Sequence, residues 1–459
     1  MLKIVTAQLK VQPGHPSENT ENMLTMIAQA KDQGADLIIF PEMAVPGYLL
    51  GDTWEQYAFL HDCEECGQDI IKASQDIAII FGNVAVDWEK KNCDGRVRKY
   101  NALFTAWQGK LIQPRNMPYP YVIKTLMPNY REFDDTRYFF GLKQLAEEMG
   151  TQADKLIGTV PLNIKGQDYN IGGFLCEDGW SEDYNLAPVE VLTRQGVDML
   201  VNISASPYTL GKNGKRHRVF GKQAKAAGVP LFYVNNVGIQ NNGKTVYTFD
   251  GSSTLYNGQG LMVDCLPKYQ QGMGIYELDK IQTMPKFQRE KQPDIAHIFA
   301  ALEYAVKEFL ADIHMDKVVI GISGGIDSAV AAALYTHILG PEKVLLVNMP
   351  SVYNSATTKG LAQELAVNLG CNYTIMPIQE SVDHTIDQLE HIPVTFLKDG
   401  SKFNLQVSSF VAENIQARDR SARVLAGAAA AFGGGFTCNA NKAETTVGYS
   451  TLYGDQSGF

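Results

Sequence analysis

A chain of 459 residues is too long for one core, and at roughly 100–200 residues per domain it calls for two or three. Its 45% apolar and 20% charged residues describe an ordinary globular protein. A net charge of −10 argues against a general binder of nucleic acid or anionic membrane, and no apolar run approaches the ~20 residues that span a bilayer.

The first ten residues read as a strand and carry no small-residue cleavage site. Seven cysteines at irregular spacing suit a reducing compartment better than a disulfide framework, so cytoplasm is the expected location. From there to about residue 275, short apolar strands alternate with helical stretches. The expected strands are 4–9, 36–40, 77–86, 102–106, 170–175, 199–203 and 231–234, with helices such as 17–33 and 187–195 between them. Residues 280–293 are polar, charged and interrupted by prolines, which reads as a linker. A helix over 295–313 then opens a second α/β unit, with strands at 318–322, 343–349 and 373–378. The expected division is a first domain over 1–275, a linker over 276–294 and a second domain over 295–459. The second domain reads as doubly wound, with its ligand at the C-terminal ends of the strands.

Three residues of the first half stand where strands end. Glu42 follows Leu37-Ile-Ile-Phe-Pro41, Lys124 opens Lys-Thr-Leu-Met-Pro-Asn-Tyr130, and Cys176 ends Gly172-Gly-Phe-Leu-Cys. Strand ends in layered α/β domains share a rim, so residues distant in sequence converge there. A thiolate attacks acyl carbon, a carboxylate deprotonates the thiol, and an ammonium steadies the oxyanion that forms. Singly, each has a duller explanation: an inert core cysteine, a capping glutamate, a surface lysine. Together, the contexts Phe-Pro-Glu-Met, Lys-Thr-Leu-Met-Pro-Asn-Tyr and Phe-Leu-Cys-Glu-Asp resemble the Glu-Lys-Cys triad of the nitrilase, or carbon–nitrogen hydrolase, superfamily. Cys63-Glu-Glu-Cys66 has metal-ligand spacing, but no second pair completes a ligand set, so it reads as a reduced pair on a helix. The basic run 212–218 reads as a solvated face, set near the first site by its position after Ser204-Ala-Ser-Pro207.

The second half holds the other motif. Between Lys317 and Val330 a β-branched run gives way to Ser323, Gly324, Gly325, Ile326, Asp327 and Ser328, then to an alanine-rich helix reaching about Leu339. Paired glycines let the backbone turn sharply and bring N–H groups to a ligand, and a helix N-terminus favours anions. No Gly-Lys-Ser/Thr follows, so this is not a Walker loop. It resembles the pyrophosphate loop of the ATP pyrophosphatases, which split ATP into AMP and pyrophosphate.

A nitrilase-like amidase joined to an ATP pyrophosphatase resembles the glutamine-dependent NAD⁺ synthetase family over nearly the whole chain. The runs from Glu413 to Arg420 and from Asn441 to Asp455 strengthen the resemblance. It implies a nitrilase-like α-β-β-α sandwich followed by a doubly wound parallel-sheet ATP-pyrophosphatase domain. It also implies that Cys176 attacks the side-chain amide of glutamine, with Glu42 as base, Lys124 at the oxyanion, and Tyr130, Ser206 and Lys212 holding the substrate. Ser323 to Ser328 and Asn439 would grip ATP, with Mg²⁺ near Asp327 and Glu444. Asn414, Arg418, Glu444 and Asp455 would meet deamido-NAD⁺, whereas Arg420 and Arg423 read equally well as partners of surface acids. The family passes ammonia between its sites through a tunnel, and a homo-oligomer paired through the second domain is expected.

Two departures stand out. Cys438-Asn-Ala-Asn-Lys-Ala-Glu444 replaces the family's Thr-Thr-Gly-Asn-Lys-Ser-Glu, although Asn439 can still donate and accept. The chain also stops at Phe459 where family members continue, so an intact amidase half and a crippled synthetase half are expected. An amidase alone, or a glutamine-fed ATP pyrophosphatase making another amide, shares part of this pattern. The motifs between Asn414 and Asp455 count against the second of these.

Overall fold

Successive residues of a strand face opposite ways, and the strands of the first half are apolar on both faces. In the computed structural model, which describes residues 2–459 except 242, 244, 289–291 and 352–355, the chain divides into Met1–Ala305 and Val306–Phe459. Residues 289–291, toward the end of the expected linker, therefore lie outside the described residues.

Two sheets stack in the first unit. One has, in spatial order, Gly272–Glu277, Lys3–Gln8, Leu37–Ile39, Ala78–Lys91, Val97–Trp107 and Lys110–Leu111, with Val122–Ile123 also on Val97–Trp107. The other has Met262–Cys265, Thr254–Tyr256, Leu231–Asn235, Met199–Ser204, Gln167–Leu175 and Val160–Ile164. Ile4, Leu37, Ile39 and Ile80 of the first sheet meet Ile171, Val201, Ile203 and Val234 of the second in one buried core. The alternate residues Val5, Ile38, Phe40 and Ile79 pack outward against Met23, Ile27 and Ile70 of helices Pro16–Asp32 and Tyr57–Ala73. Leu200, Leu231 and Tyr233 do the same against Val189 of helix Pro188–Arg194 and Phe220 of helix Lys212–Ala227. Each such aliphatic side chain contributes ~1.5–3 kcal/mol by burial. The result is an α-β-β-α sandwich. Cys63 and Cys66 lie buried on helix Tyr57–Ala73.

The second unit has one parallel sheet, ordered Asn372–Ile375, Val344–Asn348, Val318–Gly321 and Gly435–Phe436. Val318, Ile320 and Leu346 pack on one face against Ala332, Ala362 and Ala366. Val319 and Val347 pack on the other against Val382, Val424 and Ala428. Helices thus cover both faces, and the sheet is doubly wound. The strand expected over 373–378 stops at Ile375, because Pro377 has no N–H to continue a ladder.

Candidate active site

Four strand ends converge in the first unit. Glu42 follows Leu37–Ile39, Lys124 follows Val122–Ile123, Cys176 follows Gln167–Leu175, and Ala205 follows Met199–Ser204. Lys124 Nζ donates to Glu42 Oε1 (2.9 Å) and to Asp135 Oδ2 (2.8 Å), and its Nζ lies 3.4 Å from the Tyr48 hydroxyl. Tyr48 OH donates to Asp135 Oδ1. Glu42 also accepts from Asn101 Nδ2 (2.7 Å) and from the Ala205 N–H (2.8 Å), so both its oxygens are held. Burial works against the Lys124 charge, but Asp135 and Glu42 outweigh it and hold its pKa well above the ordinary lysine value. The lysine is a fixed cation.

Cys176 opens a short 3-10 turn, Cys176–Gly179, with φ at +33°, a conformation that costs an L-residue energy and recurs at reactive turns. Burial pushes its thiol up, Glu42 adds to that, and Lys124 and Lys212 oppose it. At rest the sulfur keeps its proton. Attack by this cysteine therefore requires a neighbouring base, and Glu42 is the carboxylate it senses most.

Glu42 is placed by a close approach. A Cβ on Gly82 would meet Met43 N at 2.4 Å and Glu42 Cα at 2.6 Å, so only glycine lets the adjacent strand pass. Gly82→Ala is expected to push residues 41–43 aside, lower Tm, and slow alkylation of Cys176 by iodoacetamide about tenfold or more. Thermal unfolding and peptide mass mapping check both effects.

Cys176 faces a cavity of about 770 Å³ whose walls include Tyr130, Glu177, Trp180, Ser206 and Lys212. Tyr130 and Tyr184 donate to the Glu177 carboxylate, at 3.1 and 2.9 Å. Burial and the neighbouring Arg216 pull the Lys212 pKa down to about 8. Within the basic run, Lys212 and Lys215 line the cavity, while Arg216 is fully buried beside Ser206 and Asp250 rather than solvated. Sequence reasoning missed Tyr48, Asn101, Asp135 and Asp178. A polar Asn101 inside an apolar strand was the one available signal.

In the second unit a cavity of about 400 Å³ opens at the C-terminal end of Val318–Gly321. Ser323, Asp327, Ser328, Asn439, Glu444 and Asp455 line it. Gly324 takes φ +85°, and the Gly325 N–H donates to Ser323 Oγ at 3.1 Å, which closes the turn before helix Ile326–Leu339. Gly324, Gly325 and Ile326 shape the turn without lining the cavity. Asn439 Nδ2 donates to the Gly321 carbonyl (3.4 Å), and Asn441 Nδ2 donates to Asp327 Oδ1 (3.5 Å).

Asn414 and Arg418 are not brought to this cavity. Asn414 accepts from Thr451 Oγ1 (2.9 Å), and Arg418 Nε donates to the Leu452 carbonyl (3.3 Å). Past them the chain forms a π-helical segment, Asp419–Leu425, which presents Arg420, Ser421 and Leu425 to the cavity. Arg423 instead makes a bidentate pair with Asp419 (2.7 Å for each contact).

Known proteins match both halves. The carbon-nitrogen hydrolase family model matches residues 3–286, and the NAD synthase model matches residues 298–458. The glutamine-dependent NAD(+) synthetase of Synechocystis sp. is 34% identical, over 100% of this chain and 77% of its own length. The chain belongs to the glutamine-dependent NAD(+) synthetase family. A second synthetase of that family, from Acinetobacter baylyi, is 29% identical over 99% of this chain and 75% of its own. The solved synthetase from Acinetobacter baumannii, in complex with ADP, superposes with a TM-score of 0.80 at 29% identity. That match covers 100% of this chain and 78% of that one. The sandwich of the first unit is thus the carbon-nitrogen hydrolase fold, and the doubly wound sheet is the NAD synthase fold.

Proposed function

We propose that this chain converts deamido-NAD⁺ to NAD⁺ at the expense of ATP, taking the nitrogen from glutamine. In this reading domain 1–275 is the amidase, 276–294 the linker and domain 295–459 the synthetase. The observation that carries it is the buried Glu42–Lys124 pair at the strand ends that also present Cys176, which opens on a cavity walled by Tyr130, Glu177, Ser206 and Lys212.

Glu42 takes the Cys176 proton as sulfur bonds to the amide carbon of glutamine, and Lys124 stabilises the oxyanion. The C–N bond breaks, Glu42 returns its proton to the leaving nitrogen, and ammonia departs. Water then cleaves the thioester to give glutamate and free Cys176. Lys212 and Ser206 suit the substrate carboxylate, and Tyr130 with Glu177 its ammonium group.

At the second cavity a carboxylate oxygen of the nicotinate ring attacks the α-phosphorus of ATP, and pyrophosphate leaves. Ammonia attacks the acyl carbon of this adenylate, giving NAD⁺ and AMP. Ser323 and Ser328, at the start of helix Ile326–Leu339, are suited to phosphate oxygens, with Gly324, Gly325 and Ile326 setting the turn that presents them, Asn439 is suited to ATP, and Arg420 to the charge that develops. Asp455, with Asn414 and Arg418 behind it, is assigned to the dinucleotide. Asp327 and Glu444 offer hard oxygen donors, and Mg²⁺ commonly uses one or two carboxylates plus substrate phosphates. When bound there, Mg²⁺ supplies neutralising charge to the phosphates.

A reducing cytoplasmic location is supported by seven free cysteines. Among the described residues, no helix is long and apolar enough to cross a membrane. Pairing of copies through the second domain is supported by exposed apolar side chains such as Phe396, Leu397 and Phe403. The test is to supply glutamine, ATP, Mg²⁺ and deamido-NAD⁺ and to follow glutamate, AMP and NAD⁺ separately. The proposal expects AMP and NAD⁺ to form in equal amounts, with glutamate at least matching them. Glutamate without AMP would refute the second half of it.

A further inference from the structure

We infer that Asp178 is a positioning residue that ties the Lys124 segment to the Cys176 turn by gathering main-chain N–H groups of both on one carboxylate. The inference rests on the amidase reading of the first cavity. Asp178 Oδ1 accepts from the Leu126 N–H (2.7 Å) and the Thr125 N–H (3.0 Å), and its Oδ2 accepts from the Leu175 N–H (3.3 Å). Thr125 and Leu126 directly follow Lys124, and Leu175 directly precedes Cys176. The two segments leave strands of different sheets, so no strand pairing joins them.

Asp178 is 1% exposed and does not line the cavity, so it cannot touch the substrate. Its role must pass through the groups it holds. A carboxylate has lone pairs for all three donors and binds them with charge assistance; a neutral carboxamide must turn its own N–H₂ toward at least one of them. Lys124 would then move relative to the sulfur. A displacement of about 1 Å between reacting groups costs on the order of 100-fold in rate.

Burial pushes the Asp178 pKa up to about 7, with the backbone donors and Lys124 opposing. Lys124 lowers it, and the Asp178 charge in turn raises the Tyr184 phenol. As pH falls through about 7, a proton enters one oxygen and turns an acceptor into a donor facing N–H groups. The link weakens on the acid side.

Asp178→Asn tests this in the full chain. Glutamate release should fall about 100-fold in kcat, with the KM for glutamine moved less than about threefold. The part of the acid limb that Asp178 contributes near pH 7 should be missing from the kcat profile, leaving the part due to the base Glu42. Emission from Trp180, which lines the cavity, should still report glutamate binding. Unchanged kcat, or a kcat and KM that worsen together, overturns the inference. If the variant binds no glutamate, Asp178→Glu decides. Its retained carboxylate should keep kcat at least about tenfold above that of Asp178→Asn, and equal loss in both overturns the inference. A wild-type chain that releases no glutamate would sink the amidase reading itself, whereas an active wild type beside an unaffected variant sinks only this inference.

Discussion

Cys176→Ala is expected to abolish glutamate release, with a loss of at least about 10⁴-fold, because the covalent route disappears and water must attack an unactivated amide directly. The substitution is structurally mild. Alanine keeps the Cβ, meets the same φ of +33°, and leaves the Glu42–Lys124–Asp135 array intact, so Tm should hardly move. NAD⁺ formation from glutamine should vanish with it. With an ammonium salt as nitrogen source, AMP and NAD⁺ should form at the wild-type rate, since no atom of Cys176 takes part in that step. Loss of the ammonium-supported reaction as well would contradict the separation of the two chemistries. Parallel assays of glutamate and AMP, with glutamine or ammonium supplied, distinguish these results.

Gly324→Val should have the corresponding effect on the second site. Gly324 holds φ at +85°, where a left-handed L-residue costs roughly 1–2 kcal/mol and a β-branched one more. A Cβ there would also meet the Thr358 carbonyl oxygen at 2.4 Å and its Cα at 3.1 Å, so the turn cannot remain in place. Moving it misdirects the N–H groups at the start of Ile326–Leu339 and breaks the Gly325-to-Ser323 contact that closes the turn. Each charge-assisted hydrogen bond to phosphate contributes about 1.5–3 kcal/mol, so loss of two weakens ATP binding at least about 100-fold. AMP release at graded ATP reads this directly. Alkylation of Cys176 should be unchanged, because the amidase residues lie in the other unit.

The strands legible from the sequence were those with unbroken apolar runs, such as Leu37-Ile-Ile-Phe40 and Val318-Val-Ile320. Gly272–Glu277 was not legible. Glycine occupies two of its six positions, and its partner, Lys3–Gln8, lies some 270 residues earlier in the chain. Thr254–Tyr256 is too short to show a period. At the first site Glu42 and Cys176 stood out because each follows a recognisable apolar strand, and Lys124 through the run Lys-Thr-Leu-Met-Pro-Asn-Tyr130, since the strand before it has only two residues. Asp135, Tyr48 and Asp178 carry no such mark, since what distinguishes them is a contact made only after the chain has folded. Asn414 and Arg418 show the converse. Helical spacing sets them on one face with Ser421 and Leu425, but the wider turn of Asp419–Leu425 changes the phase between the two pairs. Ser421 and Leu425 therefore reach the cavity, with Arg420, whereas Asn414 and Arg418 hold the Thr451–Leu452 turn.

On the proposed mechanism one cysteine of seven is a glutamine-directed nucleophile. Intact and peptide mass analysis after exposure to an electrophilic diazoketone analogue of glutamine singles that cysteine out. All seven cysteines are free, and Cys93 is exposed with Cys265, Cys371 and Cys438 half-buried, so the reagent has other thiols within reach. A single adduct on Cys176 is expected, prevented by excess glutamine and absent from Cys176→Ala. An adduct elsewhere, or none in a chain that hydrolyses glutamine, would contradict it.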